Sequence, residues 1–183
     1  MQLILEYLTP ALLITNLLSP VAAIAKPIDY DKLCPQPKST ESSSLQSRTF
    51  RSSDGMTFEL PVNYHVANIK NTLTVLDDAA YKYMQCGFRN KITSGYYVDS
   101  IEISIAHDRE TLLYVLKNYH TETIKFGERK FLIYKSEGEY SQINAMTYDE
   151  SKHRLVTVSA YLDNGNNIVM EPAFYQILST LSF

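Results

Sequence analysis

The chain is predicted to fold as an α+β protein, an antiparallel sheet flanked by helices, and three observations carry that prediction. Apolar and polar residues alternate with period two in several stretches between Met56 and Leu162, the signature of strands with one buried face. Two stretches, Leu112–Tyr119 and Phe174–Leu181, instead repeat their apolar residues at i, i+3, i+4 and i+7, as amphipathic helices do. The composition, with 14 Tyr, 7 Phe and no Trp, favours residues that suit strands.

Taken in order, the elements are as follows. Asp54-Gly55 is a two-residue hairpin signal, and beyond it Met56, Phe58 and Leu60 alternate with Thr57 and Glu59 until Pro61 ends the strand. Thr72–Val75 and Ala80–Tyr83 are the next strand candidates, joined by a turn at Asp77-Asp78. Gly87–Ser100 reads as a long connection. In "DSIEISIAHD", Ile101, Ile103 and Ile105 share one face, and Asp108 is placed to cap the helix that follows. Thr123–Lys125 and "RKFLIYK" flank a turn at Gly127-Glu128. Ser141–Tyr148 and Leu155–Leu162 form a hairpin around Asp149–His153, and Asp163-Asn164-Gly165 turns the chain out again. Pro172 suits a first helical turn, and Phe174, Ile177, Leu178 and Leu181 give that helix one apolar stripe, with Phe183 as a plug beyond it.

The 183 residues divide by composition into three parts. Residues 1–25 hold an apolar stretch, Ala11–Ala25, closed by Ala23-Ile24-Ala25, an A-x-A pattern that a signal peptidase can cut. Glu6 stands where a signal peptide normally carries positive charge. A cleaved signal peptide, an uncleaved membrane anchor and a core helix are the alternatives; the A-x-A pattern favours the first. Cleavage would remove Glu6, the one charged side chain there, taking the formal charge from −3 to −2. Residues 26–48, rich in Pro, Ser and charge, read as a flexible linker. Residues 49–183 are the folded domain. Cys34 in the linker and Cys86 in the domain are the chain's 2 cysteines. Outside the cytoplasm such a pair suggests a disulfide, which would close a loop of about 50 residues and stabilise by roughly 4 kcal/mol; two unpaired thiols are the alternative.

"FRSSDGMTFELPVNY" resembles the opening of PsbP-like domains, where an S-D-G turn precedes a strand ending in Pro. "DRETLLYVLKNY", "FGERKFLIYKSEG" and "ILSTLSF" follow in that family's order, so the resemblance spans about residues 49–183. It implies an α-β-α sandwich. Proteins of that family include extrinsic subunits of photosystem II on the lumenal side, Ran-binding nuclear transport factors, and secreted or lipid-anchored bacterial proteins. The signal-like start matches the exported branches, so the expected location is periplasm, extracellular space or thylakoid lumen, with a tether to the membrane if the N-terminus stays uncleaved. The family brings no catalytic motif, and the photosystem subunits' N-terminal binding segment is not recognisable here.

The net charge of −3 with scattered Lys and Arg argues against a nucleic-acid partner. His65, His107, His120 and His153 stand apart; His107-Asp108 and His120-x-Glu122 could supply ligands, yet neither is a metal motif. Cys86 could serve as a nucleophile only with a distant His. Nucleophile-elbow and phosphate-loop motifs are missing, so no catalytic, cofactor or metal residues are assigned. The candidate partner-binding residues are Tyr81, Tyr83, Tyr96 and Tyr97 beside Arg89, because Tyr suits surfaces that are apolar on one side and wet on the other; tyrosines that complete a sheet face are the alternative. The expected function is a non-enzymatic exported protein that binds or helps assemble a protein complex at a membrane surface, photosystem II if the source is photosynthetic. A small exported enzyme and a ligand-binding module are the alternatives.

Overall fold

The computed structural model describes residues 30–91, 99–107, 110–137, 140–163 and 167–183. The expected cap at Asp108 and the turn at Asn164-Gly165 lie outside these residues, as does the segment 1–25. After a one-turn helix, α1 (Tyr30–Leu33), come β1 (Ser47–Arg51), β2 (Thr57–Pro61), β3 (Tyr64–Ile69), β4 (Thr72–Asp77), α2 (Asp78–Arg89) and β5 (Ile101–Ala106). Then follow α3 (Glu110–Asn118), β6 (Thr121–Phe126), β7 (Arg129–Ser136), β8 (Gln142–Asp149), β9 (Arg154–Asp163), β10 (Asn167–Ile168) and α4 (Glu171–Thr180).

The main sheet runs β3-β4-β5-β9-β8-β7-β6, with β10 pairing the far end of β9, and every pair is antiparallel. β1 and β2 form a separate hairpin whose turn, Ser52–Met56, is longer than the two residues expected; Gly55 takes φ +89° in it. The α+β class expected from periodicity is present.

One face of the sheet carries Val75, Ile101, Ile103, Ala145, Val156 and Val158. On it lie α4 and the β1–β2 hairpin, which bring Phe174, Ile177, Leu178, Met56, Phe58 and Leu60 into one continuous core. The stripe read from the sequence, Phe174, Ile177, Leu178 and Leu181, is buried throughout. The β6–β7 turn and α4 meet so closely that a Cβ on Gly127, itself at φ +54°, would stand 2.5 Å from the Ser179 carbonyl oxygen. Beyond the helix, Ser182 and Thr57 exchange two backbone hydrogen bonds of 2.8 Å, and the Arg129 guanidinium stacks 4.0 Å from the Phe183 ring centre.

The other face carries α2 and α3. Leu76, Ala80 and Met84 form one cluster beneath α2, and Val115, Met146 and Leu155 another beneath α3. Two corrections to the expected elements arise here. Ala80–Tyr83 lies in the first two turns of α2 and is not a strand, and the helix runs on through Gly87 to Arg89 into what reads as a connection. The reason is local: Asp77 caps the helix by accepting the Ala80 N–H at 2.7 Å, and Ala80, Met84 and Gly87 fall on its buried side. β3, with His65 and Asn68 in its middle, carries too little apolar alternation to be read from sequence.

The Pro- and Ser-rich stretch before β1 is tied to the domain at several described positions. Asp77 accepts the Glu41 N–H at 2.7 Å with its second oxygen, so one buried carboxylate caps α2 and holds this strap. Thr40 bonds Asp99 at 2.5 Å, Asn63 bonds both Ser42 and Ser44, and the Tyr64 hydroxyl donates to the Glu41 carbonyl at 3.1 Å. Polar side chains here do the ordering that composition assigns to apolar burial.

Candidate functional site

The 12 residues of α2 present Asp78, Lys82, Gln85 and Arg89 outward, at 100° per residue, opposite buried Ala80, Met84 and Gly87. Tyr81 and Tyr83 sit two residues apart, so they lie on opposite flanks of the helix and share no surface. Tyr81 stacks on His65 with ring centres 4.4 Å apart and packs on the Leu76 cluster. Asp78 joins this group: it meets His65 Nε2 at 3.0 Å and pairs with Lys82. The hydrogen bond from Lys82, with a smaller one from His65, holds the Asp78 carboxyl below the usual carboxylate range. Arg89 is exposed at the C-terminal end. Tyr96 and Tyr97 lie outside the described residues. The five candidates therefore do not form one described surface.

Cys34 and Cys86, 52 positions apart in sequence, are joined in a disulfide with Cα atoms 5.8 Å apart. It fastens the segment after α1 to the last turn of α2. Neither sulfur is then a thiol, which removes Cys86 as a nucleophile.

Between the two apolar clusters under α2 and α3, a polar row crosses the sheet. Thr74 lies opposite Glu102, Glu102 opposite Ser159, Ser159 opposite Asn144, and Asn144 opposite Tyr134. Asn144, 5% exposed, donates to Ser136 Oγ at 3.0 Å and accepts from the Ser159 hydroxyl at 2.7 Å. Burial pushes the Tyr134 and Tyr161 phenols above their ordinary value, and the nearby Glu102 carboxylate adds to the rise at Tyr161. Tyr161, Tyr140, Asp99 and Asp163 line a surface hollow of about 630 Å³ close to this row.

A buried charged cluster sits at the β8–β9 turn and was not anticipated from the sequence. Arg154, 3% exposed, donates through Nε to Asp149 at 2.8 Å and through Nη1 to Asp54 of the β1–β2 turn. Lys152 donates to the Asp54 carbonyl, and the Arg154 guanidinium stands 5.6 Å from the Phe183 ring centre. Burial lowers the Arg154 pKa from its usual value. The cluster joins the hairpin to the sheet across about 100 residues of chain, a separation at which no spacing rule applies. It is a structural clamp.

Nor did spacing anticipate the outer side of α3. Of the expected stripe, Val115 is buried and Leu112 and Tyr119 are half-buried, but Leu116 is 50% exposed. Leu113 and Tyr114 are 64% and 60% exposed beside it. The available hint was that Leu113 falls outside the periodic set.

The histidines remain apart. His120 Nε2 is 3.9 Å from Glu122 on the surface, and His153 Nδ1 is 3.4 Å from the Tyr148 hydroxyl. Among the described residues no group of three His, Cys, Asp or Glu is placed to hold a metal ion, and no helix is long and apolar enough to cross a membrane. The chain matches no protein-family model and no curated protein.

Proposed function

We propose that this is a non-enzymatic exported protein with a PsbP-like α-β-α sandwich, which binds or helps assemble a protein complex at a membrane surface. In a photosynthetic source that complex would be photosystem II. The layer order supports the family reading: helices α2 and α3 lie on one face of an antiparallel sheet and α4 on the other.

One observation carries the binding role. Helix α3 holds Leu113, Tyr114 and Leu116 in solvent at 64%, 60% and 50% exposure while anchoring itself through Val115. A nine-residue helix with three large apolar side chains turned outward is the kind of surface that a partner covers. Its neighbour Tyr119 meets Tyr114 edge-on at 6.2 Å, which holds the aromatic part of the patch in place.

In-cell crosslinking of the tagged full chain, with partners identified separately from membrane and soluble fractions, tests the reading. The double variant Leu113→Ser, Leu116→Ser is expected to reduce recovery of one membrane complex by about tenfold, as loss of an interface anchor does. Equal recovery by this variant overturns the α3 surface. A parallel Tyr96→Ala, Tyr97→Ala variant asks whether those two tyrosines contribute. If the wild-type chain captures no membrane complex at all, the assembly role itself fails.

A further inference from the structure

We infer that the C-terminal end of α2, together with the segment stapled to it by the disulfide, is a docking surface for an anionic lipid bilayer. The inference rests on the uncleaved-anchor alternative for residues 1–25, and it concerns a surface distinct from the α3 patch.

The first argument is charge. Residues 30–36 and 84–91, which the Cys34–Cys86 bond holds together, contain Lys32, Arg89 and Lys91 against one carboxylate, Asp31; Lys38 lies farther along, with Asp77 and Asp99 by the start of α2. That is +2, so the remainder of a chain whose formal charge is −3 carries −5. Lys32, Arg89 and Lys91 all have exposed side chains. Each basic side chain near an anionic leaflet contributes about 1 kcal/mol of attraction.

The second is apolar surface. Phe88 is 57% exposed and Leu33 is 47% exposed. At 100° per residue, Arg89 lies 60° around the helix from Cys86, and Phe88 a further 100° in the same sense. The Leu33 carbonyl lies 3.4 Å from the Cys86 sulfur, so Leu33 sits beside the last turn of α2 that carries Phe88 and Arg89. Two exposed apolar residues at the same end of the helix as a cation match the headgroup–acyl boundary, where the former insert and the latter pairs with phosphate.

The third is reach. The apolar stretch Ala11–Ala25 ends five residues before Tyr30. Five residues span at most about 18 Å. With that stretch in a bilayer, Tyr30 stays close to the headgroups. The disulfide then brings the end of α2 there as well, because it fixes Cys34 against the helix. The bond acts as an orienting staple: it turns a tether into a defined pose on the membrane.

The chain has no Trp, so a single introduced indole reports on its own surroundings. Full-length Phe88→Trp and, as the comparator on the opposite face of the sheet, Tyr175→Trp would be incorporated into vesicles of phosphatidylcholine with phosphatidylglycerol, with brominated acyl chains as quencher. The expected result is quenching and a blue shift at position 88 with neither at position 175. Neutralising the pair by Arg89→Ser and Lys91→Ser in the Phe88→Trp background should lower the docking equilibrium about 30-fold, and raising the salt should act in the same direction. Equal quenching at both positions, no quenching at position 88, or quenching as strong on vesicles of phosphatidylcholine alone would each overturn the inference. None of these outcomes bears on whether Leu113 and Leu116 are needed for crosslinking, so the two proposals fail separately.

Discussion

The two faces of the main sheet are built on different plans. Beneath α4 and the β1–β2 hairpin, apolar side chains run without interruption from Leu60 and Phe58 through Val156 and Ile103 to Phe174 and Leu181. On the opposite face, α2 and α3 each seal a small apolar island, and the ground between them is Thr74, Glu102, Ser159 and Asn144. A continuous core concentrates stability, because every side chain buried in it removes apolar surface from water and fills space its neighbours need filled. A divided face leaves its helices with spare apolar surface: Leu113 and Leu116 on α3, Phe88 on α2. The difference teaches where a partner can be accommodated without unpacking the fold.

Substitutions test this contrast. Phe174→Ala, at a site 1% exposed in the continuous core, should give the largest loss of the set, about 4 kcal/mol in urea unfolding. A loss under about 1 kcal/mol would mean that the core relaxes around the gap, and the contrast between faces would fall. Replacing both Cys34 and Cys86 by Ala removes the constraint that supplements the weaker face. The expected cost is about 3 kcal/mol, somewhat below the chain-entropy value for a loop of this length. The strap amides of Glu41 and Ser44 would be expected to exchange their protons faster in the same variant.

Smaller effects follow on the polar row. Asn144→Ala strips partners from the Ser136 and Ser159 hydroxyls, both half-buried, and should cost about 1–2 kcal/mol by thermal or urea denaturation. If it proves neutral, the row is hydrated surface and not part of the packing. Leu113→Ser with Leu116→Ser should change stability least, within about 0.5 kcal/mol for each, since both side chains are at least half exposed. A loss of several kcal/mol would show that α3 needs these leucines for its own seating.

Much of the first face was legible from sequence and much of the second was not. The alternation Met56-Phe58-Leu60 and the stripe Phe174-Ile177-Leu178-Leu181 each declare a buried surface, because a continuous core demands a strict period. On the second face the same rules mislead. Met84 and Gly87 extend a helix whose opening residues, tyrosine-rich and short, read as a strand, and Leu116 obeys the helical period yet stays in solvent. Of the candidate partner residues, Tyr81 is held against His65, and Tyr83 faces the other flank.

The sequence by itself determined the class, the strands with clean alternation, the final helix and the two sulfurs available to pair. Only the tertiary structure decided that those sulfurs are bonded, that the strap is held by Asp77 and Tyr64, and that Arg154 stands between Asp149 and Asp54. The physical reason is range. Periodicity reports which side of an element is apolar, a property set by neighbours three or four positions away. Whether that side is covered, and which distant charge or sulfur meets it, depends on chain segments 23 to 100 residues apart, about which local pattern carries no information.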